Sequence, residues 1–168
     1  QLLPGDASTR SAALRKHPRL REWVERGGVL LVHQEPGAGA SNLLAAVAEK
    51  EGVRGLYFDV RFADLPLHLS LRQELRTLAV YLGVPDDPRS LFTRGAVIVV
   101  DGIERRPLDA DFSPAPHLVS LVRALADAQR TVQRGALVVA TRIPPSVLRE
   151  LGGEFAWLPG EEHTYRIH

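Results

Sequence analysis

Apolar and polar positions follow two rhythms along this chain. Four short runs are apolar almost throughout: Val29 to His33, Leu56 to Val60, Gly95 to Asp101 and Gly135 to Thr141. Runs this short, with glycine in front or at the first position, predict strands buried on both faces. Elsewhere the apolar residues recur at helical spacing, as in Leu20, Trp23 and Val24, in Leu43, Leu44 and Val47, and in Leu71, Leu75, Leu78 and Leu82. These stripes predict helices over 11–26 (interrupted near Pro18), 41–51, 69–82 and 117–132. Pro4, Gly5 and Asp6 mark residues 1–10 as a loose lead-in, and 85–90 reads as a turn. A Pro-rich loop is expected over 102–116. Two last strands, Glu154 to Leu158 and His163 to Ile167, flank a turn at Pro159-Gly160.

Strands alternating with helices predict an α/β fold: a mainly parallel twisted sheet with helices on both faces and an antiparallel C-terminal edge hairpin. With 168 residues the chain is read as a single domain, 1–168, large enough for a full core. Ligands on such sheets bind beyond the carboxyl ends of the strands. Gln34, Arg61, Asp101 and Arg142 all fall at such ends.

The segment between the first strand and its helix changes the picture. Residues 34–41 read Gln-Glu-Pro-Gly-Ala-Gly-Ala-Ser. In the nucleotide-binding pattern G-x-x-x-x-G-K-[ST], the loop's backbone N–H groups cradle phosphates, the lysine reaches the β- and γ-phosphates, and the hydroxyl holds Mg²⁺. Here Gly37, Gly39 and Ser41 keep the loop's character, but Gln34 replaces the first glycine and Ala40 the lysine. Asp101 ends an apolar strand sixty residues beyond Ser41, where such enzymes place the acid of the Mg²⁺ shell. Glu104 stands three residues further on as a possible base. The vestigial nucleotide site is therefore Gln34, Gly37, Gly39, Ala40, Ser41 and Asp101.

Composition narrows the class. The chain has no cysteine, so it has neither disulfides nor thiolate metal sites, which fits a cytoplasmic protein. Its six histidines show no metal-ligand spacing. No secretory signal or membrane-length apolar run is present, and absent methionine predicts that translation starts upstream of Gln1. The net charge is +1, and of 21 basic side chains only Lys16 and Lys50 are lysines. Arginine's planar fork suits phosphate and carboxylate.

The order of these parts resembles the RecA-like ATPase core, and within it the RadA-type recombinases and their paralogues, over roughly residues 20–168. The carriers are Arg21 to Gly28 before the first strand, the loop Val32 to Leu43, the helix and strand at Leu118 to Thr141, and the Gly152-Gly153 segment with the strands around it. The resemblance implies a catalytic glutamate after the second strand, where Phe58-Asp59-Val60-Arg61 instead places an arginine. It also implies an Asn-Gln pair where Arg142-Ile143 stands. Lysine, base and sensing amide are thus absent together. A general base contributes about 10²–10⁴-fold, so negligible hydrolysis is expected, with no catalytic residue and no bound ATP or Mg²⁺ required.

The resemblance implies nucleic-acid contact by loops carrying Arg105, Arg106, Arg142 and Arg149. The expected role is an inactive accessory factor that binds a RecA- or RadA-type recombinase, or single-stranded DNA, in recombination and repair. Two alternatives are a weakly active ATPase using Ser41, Asp101 and Glu104, and a structural subunit of a hetero-oligomer that touches no nucleic acid.

Overall fold

The computed structural model describes residues 3–34, 40–64, 66–102, 116–141, 154–158 and 166–167. The order is α1 (Ala7–Lys16), α2 (Pro18–Arg26), β1 (Gly28–Gln34), α3 (Ala40–Lys50), β2 (Gly55–Asp59), α4 (Leu67–Leu82), α5 (Pro88–Thr93), β3 (Val97–Asp101), α6 (Pro116–Val132), β4 (Ala136–Thr141), β5 (Glu154–Leu158) and β6 (Arg166–Ile167). The strands lie in one sheet in the order β2-β3-β4-β1-β5-β6. Neighbours from β2 to β5 are parallel. β6 runs antiparallel to β5, with Ala156 opposite Ile167. The 159–165 connection expected to make these two strands a hairpin lies outside the described residues.

Each parallel strand is apolar throughout because alternate residues enter two different cores. Val29, Leu31, Phe58, Ile98, Val100, Leu137 and Val139 face α4, α5 and α6, joining Leu71, Leu75, Phe92 and Leu125. Leu30, Val32, Tyr57, Val99, Val138 and Ala140 face the other way, against Leu20, Trp23 and Val24 of α2 and Leu43, Leu44 and Val47 of α3. Helices on both faces therefore follow from continuous apolar strands.

Local signals correct several expected boundaries. The lead-in is shorter than residues 1–10, because Asp6 caps α1 by accepting the Thr9 N–H at 2.7 Å. Arg10 then turns inward, 8% exposed, and its guanidinium grips both carboxylate oxygens of Glu49 on α3 at 2.8 and 3.0 Å. The same guanidinium donates to the carbonyls of Pro4 and Gly5. α1 and α2 are separate helices, broken at His17 with Pro18 opening the second. The expected turn at 85–90 leads straight into α5, capped by Asp87 and started by Pro88. β2 stops at Asp59, one residue early, because the Asp59 carboxylate accepts the Arg61 N–H and starts a short 3-10 turn.

Glycine is indispensable where β4 begins. Gly135 has φ +70°, and a Cβ there would sit 2.3 Å from the Ala96 carbonyl oxygen. Its own carbonyl accepts from Gly28 N–H and from Gln129 Nε2, both at 3.2 Å. Gly135→Ala is expected to cost about 1–3 kcal/mol through strain and overpacking, read as a lower urea midpoint. An unchanged midpoint would show that β4 can shift to make room.

The Arg10 guanidinium, through its hydrogen bonds, holds the Glu49 carboxyl below the usual range. A depressed carboxylate stabilises the fold above its unfolded value, about 4.3, and that contribution is lost as pH falls through the folded value. Thermal melts from pH 7 down to pH 3 should therefore show Glu49→Gln melting below the parent at neutral pH. The gap should narrow in acid; a constant gap would remove the ion pair as its cause.

Candidate functional site

The carboxyl ends of β1, β2 and β3 meet at one edge of the sheet. From β1 the chain crosses to β2 and returns through β3 and β4, while β5 lies on the far side of β1. The order reverses at β1, and crevices form at such reversals. The 34–41 segment leaves β1 at this point and enters α3, whose second residue is Ser41.

β2 and β3 are paired with Asp59 directly beside Asp101. Both face α3, two residues on from Tyr57 and Val99 of the inner core. Two carboxylates side by side, 1% and 0% exposed, repel one another and lose water. Donors gather around them. Ser41 donates its Oγ–H to Asp101 Oδ2 at 2.8 Å, tying the start of α3 to the end of β3. The Tyr57 hydroxyl lies 2.6 Å from the same oxygen and 3.2 Å from Asp59 Oδ2, so its one proton serves Asp101 first.

Asp59 takes the arginine. Arg61 Nε reaches Oδ1 at 3.1 Å and Nη2 reaches Oδ2 at 2.7 Å, a two-pronged contact completed by the Arg61 backbone N–H at 3.0 Å. Arg61 Nη2 also lies 3.5 Å from Ser41 Oγ. The guanidinium rests 5.1 Å from the exposed Phe62 ring. Hydrogen bonding to Asp59 pushes the Arg61 pKa up. Burial first, then the Asp101 charge, pushes the Tyr57 phenol far above its ordinary value, so it stays a neutral donor.

The expected site residues divide into two groups. Ser41 and Asp101 come together as expected. Gln34 ends β1 and Ala40 opens α3, while Gly37 and Gly39 lie outside the described residues. So do Glu104, Arg105, Arg106, Arg142 and Arg149, and their expected roles with them. Tyr57 and Asp59 also belong to this cluster, though neither is among the expected site residues. The alternation Tyr57-x-Asp59, polar groups on one face of an apolar strand, with Arg61 in the turn just beyond, was the available signal.

The described residues form an α/β core of parallel strands between helices, with a hydroxyl at the start of the helix after β1 bonded to an acid at the end of β3. A hydroxyl and a carboxylate are Mg²⁺-type ligands, and Arg61 stands against that same hydroxyl. No group of three or more His, Asp or Glu side chains suited to a metal occurs among the described residues. No described helix is long and apolar enough to cross a membrane.

No protein-family model matches this chain, and no curated protein matches it. Among solved structures, the crystal structure of the DnaC helicase loader is 19% identical, with a TM-score of 0.43 over 89% of this chain and 81% of that one. AMPPCP-bound DnaA from Aquifex aeolicus is 11% identical, with a TM-score of 0.48 over 92% of this chain and 47% of that one. The chain thus spans about half the length of that DnaA. Both are distant likenesses of fold, and nothing about activity follows from them.

Tyr57→Phe deletes a donor shared by two buried carboxylates without changing the ring. It should cost about 1–3 kcal/mol in a urea titration. No change in midpoint would mean that Asp101 draws its stabilisation elsewhere.

Proposed function

We propose that this chain is a RecA-type pseudo-ATPase, similar to RadA paralogues, that works by binding rather than by chemistry. Its partner in this reading is a recombinase-type RecA-fold protein or single-stranded DNA, which it serves as an accessory factor. The observation that carries the pseudo-ATPase half is the Arg61 clamp on Asp59, with Nη2 3.5 Å from the Ser41 hydroxyl. A guanidinium stands there against the hydroxyl that would ligate Mg²⁺, at the position where the family resemblance expects a catalytic glutamate. A guanidinium accepts no proton at neutral pH, so it cannot activate water.

Ala40 supports the same reading. A methyl group offers no donor to a triphosphate, and a charged hydrogen bond is worth about 1.5–3 kcal/mol. The rival enzyme reading draws on the Ser41–Asp101 hydrogen bond, which keeps a hydroxyl and an acid together. It would use Ser41, Asp101 and Glu104 for slow turnover.

Titration with a fluorescent ATP analogue and Mg²⁺ separates the two. Under the pseudo-ATPase reading the parent binds no tighter than millimolar and releases no phosphate. Ala40→Lys should then tighten binding by about 10- to 100-fold, still without turnover. Micromolar affinity with measurable hydrolysis in the parent would overturn the reading.

A further inference from the structure

The α1–α2 segment carries charge out of proportion to the chain. Residues 7–26 hold six basic side chains and two acidic ones, a net +4 on a chain whose total is +1. The rest of the molecule is therefore net acidic. Leu20, Trp23 and Val24 turn inward, while Arg15, Lys16, Arg19, Arg21 and Arg26 are exposed.

Arg15 and Arg21 meet Lys50, from the last turn of α3, in an open groove of about 330 Å³ floored by Leu14. The two acids close to this groove are already engaged. Glu49 is held by Arg10, and Glu25 lies 3.2 Å from Arg21 and 3.8 Å from Lys50. Arg15, Lys16 and Arg19 make no ion pair among the described residues.

The surface chemistry selects among polyanions. Protein partners are held by buried aromatic and aliphatic anchors, and interfacial helices bury an apolar face in lipid. Among the described residues the exposed large hydrophobics are Val53, Phe62, Leu69, Val80 and Tyr81, none of them on α1 or α2. A surface of arginine forks without such anchors draws its affinity from phosphate contacts and counterion release. It also lacks exposed rings on which bases could stack.

We infer that the α1–α2 face, with Lys50 of α3, is a nucleic-acid interface that holds the phosphodiester backbone with little preference for sequence. This rests on the nucleic-acid half of the proposed function and moves the contact from the 105–106 and 142–149 arginines to the opposite end of α3 from Ser41. Nothing in it depends on the nucleotide site.

Fluorescence anisotropy of a labelled thymidine 30-mer, at several salt concentrations, tests it. The parent should bind with log affinity falling linearly against log salt, with a slope near −2 to −3, as for about three or four phosphate contacts. The variant Arg15→Glu/Lys16→Glu/Arg19→Glu alters only exposed side chains. With an unchanged melting temperature it should lose at least tenfold in affinity, and its slope should flatten by about 2. Arg105→Glu/Arg106→Glu should bind like the parent. Equal affinity in the triple variant, or loss confined to the 105–106 variant, overturns the interface while leaving DNA binding intact. Failure of the parent to bind the 30-mer overturns the nucleic-acid half of the proposed function as well. Capture of polyglutamate or anionic vesicles in place of the oligonucleotide would also overturn the assignment.

Discussion

Parallel pairing of β2 with β3 sets the Asp59 carboxylate beside that of Asp101 on the same face, out of contact with water. A buried charge must be paired and hydrogen-bonded or the fold does not tolerate it. Tyr57, Ser41 and Arg61 can each be understood as an answer to that requirement. Tyr57 and Ser41 give their hydroxyl protons to Asp101, and Arg61 turns back on Asp59 with both its side chain and its backbone N–H. The requirement also shapes the backbone, because the same Asp59 carboxylate ends β2 and begins the turn that carries Arg61.

In the nucleotide-binding pattern that the 34–41 segment departs from, a bound metal ion and a loop lysine would bring positive charge to this edge. Here a resident side chain supplies it. A guanidinium is permanently charged and its planar fork matches a carboxylate, so Asp59 is balanced without any bound ligand. On the proposed reading, a triphosphate with its Mg²⁺ at Ser41 would compete with Arg61, whose Nη2 stands 3.5 Å from that hydroxyl. On the same pseudo-ATPase reading, that competition would weaken nucleotide binding separately from the alanine at position 40.

Much of the scaffold was legible in the sequence because a strand buried on both faces is apolar at every position. The loop hydroxyl and the acid of β3 were legible because their types and order follow a chemical requirement. The Asp59–Asp101 juxtaposition was not, since it depends on β2 and β3 being neighbours in exact register, and composition encodes neither. Arg10 was missed for a similar reason. It lies among Ser, Thr and Ala with no periodic stripe to mark it, and its partner Glu49 is 39 residues away. α5 has a clear cap in Asp87 and a clear start in Pro88, but six residues are too few for helical periodicity to register. The expected arginine contacts at 105–106 and 142–149 fall outside the described residues, so the basic surface that the structure does describe lies elsewhere.

α3 links the two places where charge decides the chemistry. Its second residue, Ser41, belongs to the buried acidic pair, and its last, Lys50, belongs to the basic groove. Ser41 and Lys50 lie nine residues and about 14 Å apart along the helix. A lysine at a helix C-terminus is favoured by the helix dipole, and Leu43, Leu44 and Val47 fix the rod against the sheet. The charge problem at the Ser41 end is solved inside the protein, by groups that stay in place. At the other end, Arg15, Lys16 and Arg19 point outward without an internal acid to answer them. A ligand shifts a conformational equilibrium only by binding two states differently, and a helix packed along its length offers no second state. Binding at the basic end should therefore leave the buried network as it is, with the two ends of α3 acting independently.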